Sequence, residues 1–325
     1  MNKNGKFIIS LDFELYWGIR DIWTLEQYYN NLIGVQQAVP KMLALFNKYE
    51  IHSTWATVGF LFFKNGEQLL KQIPLVLPNY QDKNLSPYED LKVLAKQGKH
   101  GDTTLFAYPL IQLIKNTPNQ EIATHTFSHY YCLEPGQTKA SFKEDLKAAF
   151  KVANDEGIKM SSLIFPRNQV NSSYLEICKD FGITCYRGNE NSLIYRASNK
   201  LENKLWKRGV RFLDAYFNLT GHHTYKVSDI SREPLINLPA SRFLRPYSKS
   251  LSFLEKLRLY RIKKNITYAA KHKEIYHLWW HPHNFGTNLE YNIKFLEEVL
   301  LHYKKMQKKY GMESINMGEL ANYLK

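Results

Sequence analysis

The chain has 325 residues, of which 44% are hydrophobic and 14% aromatic, so it has ample apolar material for a full core. Its formal net charge of +14 suits anionic partners but does not choose among nucleic acid, lipid headgroups and phosphorylated or acidic substrates. No stretch approaches the roughly 20 consecutive apolar residues that span a bilayer.

The cysteines and the first residues of the chain indicate a cellular compartment. The three cysteines, Cys132, Cys178 and Cys185, lack framework spacing and an even count, and they fit the reduced thiols of a cytosolic protein. Residues 1–12 contain a short apolar run that ends at Asp12 and no small-residue cleavage site, which is not typical of a signal peptide. We therefore expect a cytoplasmic protein.

Strands and helices are predicted to alternate along the whole chain. The predicted strands are residues 6–14, 51–57, 121–124, 161–165, 183–187, 235–238, 274–281 and 314–317. The predicted helices are residues 31–49, 105–115, 138–156, 172–181, 251–273, 289–309 and 318–324, and residues 190–224 have no clear pattern. Uninterrupted alternation predicts parallel β/α units in a single domain, residues 1–325. About eight strands in series favour a closed or nearly closed barrel over an open doubly wound sheet.

Polar side chains collect where several of these strands end. They are Asp12 with Glu14, His125 with His129, residues 166–168, and His281 with His283. In a β/α barrel the active site is formed at the carboxyl-terminal ends of the strands. We therefore expect these side chains to lie close together.

The residue types in this group fit a divalent metal site. Asp12 and Glu14 flank Phe13 on a strand, so both carboxylates point to the same face. His125 and His129 are four residues apart, a spacing that brings two imidazoles to one face of a helical turn. Two histidines and one carboxylate are a typical catalytic zinc set, and the second carboxylate can serve as a general base. The residues alone do not decide which carboxylate binds the metal.

Together these motifs resemble the polysaccharide deacetylase (NodB-homology) family. The resemblance extends from residue 6 to about residue 286. The segments that carry it are Ser10-Leu11-Asp12-Phe13-Glu14, residues 51–59, His125-Thr126-Phe127-Ser128-His129, Phe165-Pro166-Arg167 and Leu278-Trp279-Trp280-His281-Pro282. It implies a distorted (β/α) barrel of seven to eight strands, a divalent metal that is usually zinc, and removal of acyl groups from N-acylated amino sugars.

The resemblance also implies roles for individual residues. The metal ligands would be Glu14, His125 and His129. Asp12 would be the general base, with Arg167 as its partner, and His281 would be the acid that protonates the departing amine. The chain departs from the family pattern in two motifs: the family more often has two adjacent aspartates in the first, and it tends to place arginine before proline in the third.

Other aromatic and basic residues are candidates for binding. Trp279 can stack on a sugar or pack in the core. Arg242 and Arg245 follow a predicted strand and can hold a phosphate or carboxylate, or pair with local acids. The basic segment 251–273 can contact an anionic membrane or form a solvated outer helix.

The leading hypothesis is a metal-dependent hydrolase that removes an N-acetyl or N-formyl group from an amino sugar of a surface polysaccharide or lipopolysaccharide precursor. One alternative is an amidohydrolase acting on a small non-carbohydrate amide, and another is a non-catalytic glycan-binding protein. We expect no nucleic-acid partner, because the basic residues are spread along the chain and no recognition module is visible.

Overall fold

The computed structural model describes residues 4–94, 103–195 and 205–325, and one parallel sheet organises this part of the chain. Its strands are β1 (Lys6–Phe13), β2 (Ser53–Thr57), β3 (Gln120–Thr124), β4 (Ser162–Leu163), β5 (Cys185–Tyr186), β6 (Ile236–Asn237), β7 (Arg242–Phe243), β8 (Ile275–Trp280) and β9 (Glu313–Ser314). Eight strands follow the order β6-β5-β4-β3-β2-β1-β8-β7, and β9 pairs with β1 off this path. The sheet curls into an open barrel, which confirms the predicted distorted (β/α) barrel of seven to eight strands.

Helices follow most of the strands, as the alternation predicts. Those of the described residues are α1 (Leu25–Lys48), α2 (Gly66–Leu70), α3 (Pro87–Leu94), α4 (Tyr108–Lys115), α5 (Lys139–Asp155), α6 (Leu175–Asp180), α7 (Leu205–Asp214), α8 (Glu255–His272), α9 (Leu289–Tyr310) and α10 (Met317–Leu324). Helix α1 begins with a capping box in which the side chains of Thr24 and Gln27 each bond the other's backbone N–H. Among the described helices, none is both long enough and apolar enough to cross a bilayer.

Strand β1 is buried along its whole length, because it lies inside the sheet with neighbours on both sides. Phe7 and Leu11 pack in the large cluster beneath the helices. Ile8 points to the opposite face and packs in a smaller inner cluster, and strand alternation puts Ser10 and Asp12 on that same face. The interior of the barrel is therefore apolar where β1 begins and polar where it ends.

Some predicted elements differ in extent from the observed ones. Strands β4 and β6 have two residues each, shorter than predicted, and Pro166 and Pro239 follow them closely. Proline has no N–H to donate to a neighbouring strand, so the hydrogen-bonded ladder ends early at these positions. Strand β7 was not predicted, and α7 lies within the unassigned residues 190–224.

The predicted basic helix of residues 251–273 begins with a 3-10 turn and continues as α8. Two of its arginines face the interior, with Arg258 2% and Arg261 3% exposed. Arg258 pairs with Glu255, and Arg261 donates a hydrogen bond to Asn265 at 3.0 Å. These two cations therefore do not add to a basic outer face, and contact with an anionic membrane stays a prediction.

Candidate metal centre

The carboxylate of Glu14 meets the imidazoles of His125 and His129 beyond the ends of β1 and β3. Glu14 Oε2 lies 3.2 Å from His125 Nε2 and 3.0 Å from His129 Nε2. The three side chains are at most 5% exposed, and one donor atom from each lies within 4.8 Å of the other two. The structure thus brings together the three residues that were predicted to hold a metal.

The loop that carries the two histidines is not a helical turn, which corrects that part of the prediction. Thr126 and His129 adopt left-handed backbone conformations, with φ of 64° and 59°. Asp145 of α5 fixes the loop by accepting hydrogen bonds from the backbone N–H groups of Phe127 at 2.7 Å and Ser128 at 3.2 Å. The four-residue spacing brings the imidazoles together because a distant carboxylate holds this loop.

The donor atoms fit a divalent cation. His125 Nδ1 is 2.8 Å from the carbonyl oxygen of Ile164, which can only accept, so Nδ1 carries a proton, and in the neutral imidazole the lone pair of Nε2 is directed at Glu14. Lone pairs on nitrogen and oxygen repel each other unless a proton or a cation lies between them. Two donors bound to one tetrahedral zinc ion are about 3.3 Å apart, which is close to the separations of 3.2 and 3.0 Å.

The charge distribution favours the metal-binding forms of these groups. Burial raises the pKa of Glu14, but the imidazoles of His281 and His129 outweigh burial and hold this pKa well below its usual value. Burial lowers the pKa of His129, which favours the neutral imidazole that binds a metal.

Gly18 leaves room for the Glu14 carboxylate. A Cβ atom at position 18 would lie 2.0 Å from Glu14 Cδ and 2.1 Å from Oε1, so a larger residue must push the carboxylate away from the imidazoles. We expect Gly18→Ala to weaken zinc binding about 10- to 100-fold, measured by competition with a chromophoric chelator. Gly209→Ala is the control, because a Cβ at position 209 meets open space. An unchanged zinc affinity in Gly18→Ala would contradict a ligand role for Glu14.

Asp12 is held by Arg187, which lies outside the motifs that resemble the deacetylase family. The guanidinium of Arg187 donates to both carboxylate oxygens of Asp12, each at 2.7 Å, and it also donates to Ser10 Oγ at 3.0 Å. Asn168 Oδ1 accepts a further hydrogen bond from Arg187 Nη2 at 2.8 Å. Burial raises the pKa of Asp12, but the Arg187 guanidinium with its imidazole neighbours outweighs burial and lowers this pKa overall. Asp12 is therefore ionised at neutral pH.

Arg167, the predicted partner of Asp12, pairs with Asp21 instead. Its Nη2 atom lies 2.5 and 2.6 Å from the two carboxylate oxygens of Asp21. Its guanidinium also lies 4.7 Å from the ring centroid of Tyr131. Position 167 follows Pro166 in a left-handed turn with φ of 54°, which directs the side chain to this other carboxylate.

His281 is the most accessible member of the charged cluster. Its Nε2 atom lies 3.5 Å from Glu14 Oε1 and 3.8 Å from Asp12 Oδ2. The His281 side chain is 23% exposed, whereas the Asp12 and Glu14 side chains are 4% and 5% exposed. The His283 ring stacks on that of His281 at 5.1 Å, and burial lowers the pKa of His283 to about 3. His281 therefore borders the side from which a substrate can reach the cluster.

The predicted substrate-binding residues occupy different environments. Trp279 lies beside the cluster, 5.5 Å from the His281 ring and 4.2 Å below the Arg187 guanidinium. Arg242 pairs with a local acid, the second of the two roles expected for it: it is 4% exposed and donates to the carbonyl oxygen and carboxylate of Asp214 at 2.9 and 3.2 Å. The guanidinium of Arg245 is partly buried and lies 5.2 Å from the ring centroid of Phe212.

No known family profile and no curated protein matches the sequence. Solved structures do match. A Mycobacterium smegmatis protein described as a polysaccharide deacetylase aligns with a TM-score of 0.60 and 12% identity, over 99% of this chain and 91% of that one. A Pseudomonas aeruginosa protein of the same description gives a TM-score of 0.54 at 9% identity, over 98% and 89% of the two chains. The PuuE allantoinase gives 0.53 at 9% identity, over 98% and 88%.

At these identities the likeness concerns the fold. The chain has the (β/α) barrel found in polysaccharide deacetylases, which confirms the fold expected from the sequence motifs. The group formed by Glu14, His125 and His129 is a candidate metal site at the carboxyl-terminal ends of the strands.

Proposed function

We propose that the protein is a metal-dependent hydrolase that removes an N-acetyl or N-formyl group from an amino sugar. The observation that carries the proposal is one cluster in which a carboxylate contacts two imidazoles while Asp12 and His281 face each other beside it. The deacetylase-like barrel adds support, since it brings the residues of the matching motifs to one end of the sheet.

Each side chain is positioned for one part of amide hydrolysis. A divalent cation held by Glu14, His125 and His129 would polarise the amide carbonyl and acidify water. Ionised Asp12 accepts the proton of the attacking water, and the paired guanidinium of Arg187 fixes the carboxylate in orientation. His281 Nε2, on the accessible side of the cluster, donates a proton to the departing nitrogen.

A sugar linked to a nucleotide or a lipid suits the remaining features. Such precursors of surface polysaccharides carry phosphates, which the net charge of +14 attracts. Trp279 presents a partly exposed ring beside His281, where the apolar face of a sugar can stack. We place this reaction in the cytoplasm, where these precursors are assembled.

The test is release of acetate or formate by the zinc-loaded protein. We expect release from nucleotide-linked N-acetyl or N-formyl amino sugars, and a loss of about 10²- to 10⁴-fold in Asp12→Asn, because the general base is removed. Allantoin serves as a small non-carbohydrate amide. Hydrolysis of allantoin with no release from any amino sugar would favour the small-amide alternative and contradict the proposal.

A further inference from the structure

A concave site that includes none of the proposed metal ligands lies at the ends of β5 and β6. It is a cavity of about 830 Å³, bordered by residues 189–192, 223–225 and Asn237 among others. Ligand sites commonly have volumes of about 300–1,000 Å³. Residues 190–192, 223 and 224 of its lining belong to the segment 190–224, which has no clear sequence pattern.

The lining of this cavity differs in charge from the protein as a whole. It contains two carboxylates, Glu190 and Asp229, and its described residues include no lysine or arginine, although the chain has a net charge of +14. Neutral hydrogen-bonding groups make up most of the remainder, including Asn189, Asn191 and Tyr225. Such a lining suits a hydroxyl-rich ligand that is neutral or positively charged.

Glu190 is the unusual member of this lining. It is only 6% exposed, and the described residues give it no ion pair within 4 Å. Burial raises its pKa, against the opposing effect of the Arg242 and Arg187 charges. A largely buried carboxylate with no cation paired to it is costly, and a cationic hydrogen-bond donor in the cavity would lower that cost.

Trp279 connects the cavity to the metal centre. Its indole N–H lowers the pKa of the Glu190 carboxylate, although the described residues give that N–H no hydrogen bond. The same indole ring lies 4.2 Å from the Arg187 guanidinium and 5.5 Å from the His281 ring. Asn189 adds a second link, because its Nδ2 donates to the carbonyl oxygen of Asn168 at 3.1 Å. The lining is thus linked to the proposed base by hydrogen bonds from Asn189 to Asn168 and from Arg187 to both Asn168 and Asp12.

We propose that this cavity binds a glycosyl unit that carries a protonated amine, next to the N-acylated unit at the metal centre. The amine pairs with Glu190, and the sugar hydroxyls bond to the neutral polar groups of the lining. The choice of a sugar rests on the proposed function, whereas the preference for a cation rests on the two carboxylates alone. The enzyme would then favour an acyl sugar whose neighbour is already deacylated.

The experiment is ligand-observed NMR titration of the full chain with D-glucosamine and with D-glucose, at a pH where the glucosamine amine is protonated. We expect glucosamine to bind at least about tenfold more tightly than glucose, because it alone forms the charge-assisted bond. Glu190→Gln should remove this preference. Asp229→Asn, on the exposed side of the cavity, should reduce glucosamine affinity by a smaller factor, about threefold.

Two further variants make the result specific. Glu290→Gln removes an exposed carboxylate on α9 and should leave glucosamine binding unchanged. His129→Ala should abolish acyl release yet keep glucosamine binding, so that failure of the proposed function and failure of this inference are separate results. Equal binding of glucosamine and glucose, or full glucosamine binding by both folded Glu190→Gln and Asp229→Asn, would overturn the inference. Loss of glucosamine binding in His129→Ala would place the amine at the metal centre and overturn it as well.

Discussion

The purified protein is expected to carry about one equivalent of divalent metal, and His125→Ala much less. His125 contributes an imidazole that is fully buried, fixed by the Ile164 carbonyl and directed at Glu14. Alanine removes the donor and leaves a site with one imidazole and one carboxylate. Because loss of even an outer hydrogen-bond partner costs roughly 10- to 100-fold in metal affinity, loss of the ligand itself should cost more.

The measurement is elemental analysis after dialysis from a metal-replete buffer, paired with acyl release from the same samples. His272→Ala is the matched control, because this histidine is exposed on α8 and stacks on Tyr268, outside the metal centre. It should keep the full metal content. The proposed mechanism fails if the wild type carries no metal under these conditions, or if His125→Ala retains a full equivalent with unchanged affinity.

The positions of the proposed ligands follow from local sequence rules. Buried strands alternating with helices predict a parallel barrel, and polar side chains at strand ends then share one rim. The alternation of side chains along a strand is enough to predict that Asp12 and Glu14 point to the same face. In the structure Ile8, Ser10 and Asp12 share the inner face of β1. The conformation of the histidine loop could not be derived in this way, because Asp145, distant in the sequence, holds it.

The partner of Asp12 is Arg187 and not Arg167, and this pairing could be predicted only in part from the sequence. Arg187 is two residues after Cys185, so both side chains point to the same face of the strand. Cys185 packs in the inner cluster, whereas Tyr186 packs on the outer face. The alternation of side chains along the predicted strand 183–187 therefore indicates that Arg187 points into the barrel. Arg167 follows Pro166 in the motif that resembles the family's third, but the left-handed turn that directs its side chain to Asp21 cannot be derived from the sequence. The ion pair of Arg242 was equally hidden, because its partner Asp214 lies in the unassigned region.

Replacing Arg187 by methionine should reduce both stability and activity. Arg187 is completely buried and forms two hydrogen bonds of 2.7 Å with Asp12, so the variant leaves a buried carboxylate without its counterion. Breaking a buried pair in this way costs about 3–5 kcal/mol. We expect a loss of about 3 kcal/mol in the free energy of unfolding at neutral pH and, because the base is no longer oriented, a fall of roughly 100-fold in kcat/KM.

The pH dependence gives this prediction a definite sign. In the wild type the pKa of Asp12 is below its ordinary value of 3.8, so this group contributes stability above that pH and loses it as the pH falls through the lower pKa. In Arg187→Met the largest charge that opposes burial is gone and only the neighbouring imidazoles remain, so the pKa of Asp12 rises relative to the wild type. The stability difference between the two proteins should therefore grow from pH about 3 to neutrality, and the acid limb of kcat/KM should move to higher pH.

Two further variants separate the effect of the Arg187 charge from the effect of its two planar donors and from the loss of a second, partly buried arginine. They are Arg187→Lys and Arg167→Met. Arg167 pairs with Asp21, whose side chain is fully buried, so its removal should also cost stability, about 3 kcal/mol, but it should leave the acid limb in place because Arg167 does not pair with Asp12. Lysine at position 187 keeps a positive charge but lacks the planar pair of donors, so its acid limb should shift less than that of the methionine variant while kcat/KM remains low. The same acid-limb shift in Arg167→Met and Arg187→Met would contradict the assignment, because only Arg187 contacts both oxygens of Asp12 in the described part of the chain.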